Sequence, residues 1–363
     1  MKHLFTGSYH YRYSFCFGTL FGLVISIILY FLTTMLFLIS DAQSTIVHSS
    51  NNLQSYIHLA ERLLVQTINA DTVNNSLQSS PNIKPVLFDD KNYHQDNDSL
   101  AKDLEKKVRI LCWIMTSPQN LNIKASHVKN TWAKRCNIML FFSSEANASF
   151  PAIGLNVSEG RQHLTAKSME AFRYIYYHYK DKADWFMKAD DDTYVILENL
   201  RYFLKDYNSS DPVYFGHHFK ALVRQGYNSG GAGYVLSLEA LTRLFFLGKN
   251  DTLCQQDGAG EDKNVGICLQ KCGVKIMNST DAMGRSRFHC FTPGMHLSKR
   301  YPEWYYDFDA NGGRGGAESV SDYAISFHYI KPEQMYELEY FIYHLRPYGI
   351  ESRHQQLNVH ITK

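Results

Sequence analysis

From Tyr13 to Ser40 the chain carries no charged residue, and no other feature limits its architecture as much. About 20 apolar residues cross a bilayer as one helix at 1.5 Å rise per residue. The apolar region of a cleaved signal peptide needs only about 7–15, so the run reads as an anchor that is retained. Lys2 and Arg12 precede it and Asp41 follows it. The positive-inside bias then keeps the short N-terminus cytosolic and sends the remainder across the membrane. No second apolar run of this length occurs, so the topology expected is type II and single-pass. The expected boundaries are a cytosolic tail over 1–13, a transmembrane signal-anchor over 14–39, a stem over 40–105 and a globular domain over 106–363.

Two features agree with a body on the far side of the membrane. Asn-x-Ser/Thr triplets begin at Asn74, Asn97, Asn147, Asn156, Asn208, Asn250 and Asn278, which suits a glycosylated chain. Cys16 lies in the apolar run, and the other six cysteines are an even set for an oxidising compartment. Zinc is the rival reading, because Cys268 and Cys272 have ligand-like spacing and His289 adjoins Cys290. No second clean pair supports a finger. Lys plus Arg is 37 against 35 Asp plus Glu, which argues against a nucleic-acid binder held by bulk charge. An apolar share of 45% excludes a largely disordered chain.

Residues 41–105 are rich in Asn, Ser, Gln and Asp and read as a spacer. The texture changes at Val108. Residues 108–115 form a compact apolar run fit for a buried strand, a helix-like stretch follows over 123–134, and 137–143 reads as a second strand. Residues 160–180 have helical length and spacing, and 183–189 read as a third strand. Short buried strands alternating with helices predict an α/β sheet with helices on both faces.

Asp190-Asp191-Asp192 follows the last of these runs directly. Three adjacent carboxylates at a strand end repel one another unless a cation compensates them. The carboxyl ends of strands are where open α/β sheets bind ligands. Hard oxygens suit Mg²⁺ or Mn²⁺, which also bridge diphosphates; the bland alternative is a solvated turn in which Asp192 caps the next helix.

A set of collinear motifs carries more than the triplet. Ile110-Leu111-Cys112-Trp113, His127-Val128-Lys129, Thr131-Trp132, the run Asp184 to Val195, Ser229 to Tyr234, Ser326-Phe327-His328-Tyr329 and Tyr343 to Gly349 together resemble the core 1 β1,3-galactosyltransferases of glycosyltransferase family 31. The resemblance implies an α/β, GT-A (Rossmann-like) domain behind a Golgi type II membrane anchor. It also implies UDP-galactose as donor, Mn²⁺ as cofactor, and N-acetylgalactosamine O-linked to Ser or Thr of glycoproteins as acceptor; a homodimer is compatible with it. On this resemblance Asp192 and His328 are metal ligands. Met115, Glu159, Gly160, Arg161 and Lys167, with Asp190 and Asp191, line the UDP pocket, where Arg161 and Lys167 offset diphosphate charge. Gly231, Tyr234 and Trp304 face the sugars, the aromatic rings by stacking; without the resemblance, the glycines read as a tight turn and Trp304 as satellite core.

An inverting transfer also needs a base for the acceptor hydroxyl. The family's catalytic Asp falls in a Glu-Asp pair, here Glu261-Asp262, ahead of Gly266-Ile267-Cys268, so the resemblance makes Asp262 the base and Glu261 the fallback. A helix cap is the plain alternative for Asp262. The family usually has adjacent cysteines before the Ser-Asp of the histidine strand, where this chain has Ser319-Val320, and commonly proline where it has Cys290. Six cysteines allow fifteen connectivities, so spacing does not decide; the pairs expected are Cys112–Cys136, Cys254–Cys268 and Cys272–Cys290. Two alternatives stand beside the enzyme: an inactive companion that assists folding, which the intact acids oppose, and a sister β1,3-transferase using another UDP-sugar.

Overall fold

The computed structural model describes residues 96–349. The anchor expected over 14–39 and nearly all of the stem lie outside them. Among the described residues no helix is long and apolar enough to cross a membrane.

The strands, in chain order, are β1 (Ile110–Met115), β2 (Ile138–Ser143), β3 (Ala152–Gly154), β4 (Trp185–Asp190), β5 (Tyr194–Val195), β6 (Val213–Gly216), β7 (His218–Phe219), β8 (Tyr227–Asn228), β9 (Tyr234–Ser237), β10 (Lys275–Ile276), β11 (Phe288–His289) and β12 (Ser326–Phe327). Seven form the central sheet in the order β10-β6-β9-β4-β1-β2-β3. β9 runs antiparallel to β4 and β6, and the remaining pairs are parallel. A smaller sheet has the order β11-β12-β5.

β1 is apolar at every position because both faces of the sheet are covered. Ile110, Cys112 and Ile114 point into one core with Trp132, Tyr194 and Leu200. Leu111, Trp113 and Met115 point into the other with Phe172, Ile175 and Leu241, as the two-residue period of a strand requires. The second core is closed by the helix Leu164–Tyr179, whose buried Met169, Phe172, Ile175 and Tyr176 recur at helical spacing. Trp113 meets Phe172 edge to face at 5.0 Å. The stretch expected as one helix over 123–134 is instead broken into a π-turn, a short α-helix Ser126–Asn130 and a 3₁₀ turn Trp132–Arg135. The break at Thr131 turns Trp132 wholly inward, where its indole N–H donates to the Thr193 carbonyl at 2.8 Å.

Cys112 is bonded to Cys136 and Cys254 to Cys268. The expected Cys272–Cys290 bridge is not formed, and both residues are buried free thiols. They belong to the two different cores, Cys272 with the Cys254–Cys268 bridge and Cys290 with Phe291 and Tyr305, so the sheet separates them. The Cys254, Cys268 and Cys272 sulfurs lie within 4.8 Å of one another. Two are already spent in a disulfide, which removes the thiolates a zinc site would use.

Candidate active site

The parallel register sets Met115, the last residue of β1, beside Asp190, the last of β4. A cavity of about 570 Å³ opens there, at the carboxyl ends of the central strands. Met115, Glu159, Gly160, Arg161 and Lys167 line it, together with Asp190, Asp191 and Asp192. Gly231, Asp262, Trp304 and His328 complete the set. Of the residues singled out from the sequence as site residues, leaving the cysteines aside, Tyr234 alone is missing from the lining.

The three adjacent acids turn in different directions. After β4, Thr193 closes a turn by donating its N–H to the Asp190 carbonyl at 3.1 Å and its hydroxyl to the Gly231 carbonyl at 2.7 Å. Asp190 Oδ1 meets Lys188 Nζ at 2.5 Å. Asp191 is buried and accepts the Thr116 hydroxyl at 2.8 Å; burial, with Asp192 alongside, pushes its carboxyl up to about 7. Asp192 has the opposite fate. Burial would raise it too, but His328 Nε2 at 3.2 Å and Lys124 Nζ at 3.3 Å hold it well below the usual carboxylate range.

His328 follows β12, and its Nδ1 lies 3.3 Å from the Cys290 carbonyl. A carbonyl only accepts, so Nδ1 carries the proton and Nε2 faces Asp192. That is the ring orientation a metal ligand needs. Asp190, Asp192 and His328 each bring one ligand atom within 4.8 Å of the others. Two hard carboxylates and an imidazole fit Mn²⁺ or a similar divalent ion. Asp191, held by Thr116, is outside this group. At Gly231 an added Cβ would overlap the His328 ring, so that glycine makes room for the histidine.

Lys167 is buried and forks onto both oxygens of Glu159 at 2.7 Å while donating to the Thr116 carbonyl at 3.2 Å. Its charge is therefore matched inside the protein rather than left for a diphosphate. Arg161 is exposed, just after Gly160, whose φ of +120° suits glycine.

The helix Glu261–Lys271 sets its first turn against the cavity. Asp262 is half-buried; its Oδ2 accepts the Gly230 N–H at 3.2 Å and its Oδ1 the Lys263 N–H at 2.8 Å. Gly260, not Asp262, is the N-cap. Glu261 is buried and accepts hydroxyls from Ser168 at 2.6 Å and Tyr234 at 2.7 Å. Burial pushes its carboxyl above the usual range. Tyr234 corrects the sequence expectation: the fully buried ring packs beside Phe172 and the hydroxyl is tied to Glu261, so no face is left for a sugar. Its inward direction follows from β9, which lies between two strands and is buried throughout. Trp304 does reach the cavity, in a cluster of edge-to-face and tilted rings with Phe219 and Phe291.

Sequence reasoning missed Lys188, Lys124 and Thr116. Lys188 had a signal, because on a strand it shares a face with Asp190 two positions on. Lys124 and Thr116 had none, since only the packing of the π-turn and the end of β1 brings them to the acids.

Residues 106–290 match the Fringe-like family. The glycoprotein-N-acetylgalactosamine 3-beta-galactosyltransferase 1 of Xenopus laevis is 49% identical over 264 residues, which span 72% of this chain and 73% of that protein. A beta-1,3-glucosyltransferase of Mus musculus is 30% identical over 155 residues, 42% of this chain and 31% of that one. The crystal structure of the galactosyltransferase LgtC overlays with a TM-score of 0.33 at 12% identity, covering 63% of this chain and 95% of that one; so distant an overlay adds nothing to the strand order.

Proposed function

Because the chain belongs to the Fringe-like family, we propose that it is an inverting galactosyltransferase of GT-A architecture. It transfers galactose from UDP-galactose to O-linked N-acetylgalactosamine on glycoproteins and forms the β1,3 bond. The observation that carries this reading is the presence, in one cavity, of the Asp190–Asp192–His328 group and of Asp262.

Asp190, Asp192 and His328 would hold Mn²⁺, which when bound supplies Lewis-acid stabilisation of the departing diphosphate. Arg161, exposed at the rim, adds positive charge where negative charge grows. Asp262 takes the proton from the acceptor hydroxyl as that oxygen attacks the anomeric carbon. Its carboxylate is suited to this because its protein partners are two backbone N–H groups, which fix it without neutralising it. Glu261 is unsuited, being buried and committed to two hydroxyls. Trp304 offers a ring to the acceptor sugar. The same reading puts the domain in the Golgi lumen behind the type II anchor. Incubating residues 42–363 with a panel of UDP-sugars, Mn²⁺ and a GalNAc-peptide tests it. Transfer from UDP-galactose is expected to dominate; no product with Mn²⁺ present would sink the proposal, and preference for another UDP-sugar would move it to the sister activity.

A further inference from the structure

The buried ammonium of Lys188 sits between the two acidic groups of the cavity. Its side chain is only 2% exposed, and Nζ contacts Asp190 Oδ1 at 2.5 Å, the Gly230 carbonyl at 3.1 Å and Glu261 Oε2 at 3.8 Å. The Gly230 N–H is taken by Asp262 Oδ2 at 3.2 Å. A continuous path thus runs from Asp190 through Lys188 to the Gly230 carbonyl, and from the Gly230 N–H to Asp262. There is little slack in it: a Cβ on Gly230 would lie 2.8 Å from Glu261 Oε2, 3.3 Å from Asp262 Cβ and 3.4 Å from Lys188 Nζ. A buried, unpaired ammonium would be costly, and the Asp190 and Glu261 carboxylates are the charges that match it. Lys188 is therefore held in place from both sides.

We propose that Lys188 is a positioning residue that fixes the spacing between the carboxylate set for the metal and donor, at Asp190, and the carboxylate set for the acceptor, at Asp262. This rests on the transferase reading given above. A transfer of this kind requires donor carbon and acceptor oxygen to be held about 3–3.5 Å apart and in line, and a misplacement of about 1 Å costs about 10²-fold in rate. Gly230 is the element that transmits the constraint, gripped on its carbonyl by the donor side and on its N–H by the acceptor side.

The test is a cycle of Lys188→Met, Asp262→Asn and the double variant, with transfer kcat and UDP binding in Mn²⁺ by calorimetry as readouts. Lys188→Met is expected to lower kcat by about 10²-fold. Its UDP affinity at saturating Mn²⁺ should stay within about threefold, because Lys188 positions Asp190 and Gly230 rather than binding the diphosphate, and excess metal makes good a looser Asp190. On the Asp262→Asn background the same change should cost less than about threefold, since residues that act through one another are non-additive. Losses that multiply, a wild-type kcat in Lys188→Met, or a UDP affinity reduced more than about tenfold would each overturn the assignment. Should Lys188→Met not fold with Glu261 left unmatched, Lys188→Met combined with Glu261→Gln removes both charges and carries the same cycle. If the wild type is inert with UDP-galactose, the function reading fails by itself, and the cycle is read on the donor that the UDP-sugar panel identifies.

Discussion

Two acidic stretches face one cavity, Asp190-Asp191-Asp192 at the end of a strand and Glu261-Asp262 at the start of a helix. In each, neighbouring carboxylates have been driven apart in character. Asp191 is buried against Thr116 and pushed up to about 7, while Asp192 beside it is held low by His328 and Lys124. Glu261 is buried and raised, while Asp262 stays half-buried on backbone donors. The strand end separates its acids by turning and the helix by its 100° step, but the outcome is the same. One acid of each stretch is buried on hydroxyl partners, and another stays less buried at the cavity.

The strongest way to break this comparison is Asp262→Asn. As the base it should lose about 10²–10⁴-fold in turnover while UDP and Mn²⁺ still bind. Near-normal turnover would end its assignment and make Glu261 the next candidate, although its buried contacts argue against it. Asp192→Ala and His328→Ala come next. Each should cost about 10²–10³-fold, the size expected when one electrostatic stabiliser of the leaving group is lost. An unchanged Mn²⁺ titration in either variant would remove that residue from the ligand set.

A subtler contrast lies within the triplet, and it appears when metal is chelated. A carboxyl whose folded value is raised keeps its proton when the unfolded chain has lost it. Its contribution is therefore full below the unfolded value near 4 and disappears as pH rises through about 7. Across about pH 5 to pH 8 the metal-free wild type should therefore lose melting temperature relative to Asp191→Asn. Asp192→Asn should weaken the same trend, because the Asp192 charge is one of the causes that hold Asp191 up; parallel pH profiles in all three proteins would show that the two acids are not coupled in this way. The smallest effect is expected of Tyr234→Phe. Losing the hydrogen bond to Glu261 should cost about 1 kcal/mol of stability with the acceptor KM unchanged, whereas a raised KM would return Tyr234 to the sugar site.

Strands β1, β2 and β4 and the acidic triplet were legible because burial on two faces leaves a simple trace: apolar runs such as 108–115 and 183–189 that stop at a polar turn. The helix at 164–179 was legible from its period. The break at Thr131 was not, because it answers to Trp132 reaching a carbonyl 61 positions along the chain. Tyr234 misled for a similar reason. A tyrosine after a glycine run reads as a sugar platform, and the place of β9 between β4 and β6 puts it in the core instead.

Sequence alone determined the α/β class of the fold, the residues proposed for a metal and a base, and the family resemblance that the wider match bears out. These are local or collinear properties: period, residue chemistry and motif order. The division of labour among neighbouring acids, the separation of Cys272 from Cys290 by the sheet, and the bridge built by Lys188 were decided only by tertiary structure. Each depends on burial and on partners distant in the chain, and a charge or thiol takes its character from what surrounds it rather than from what precedes it.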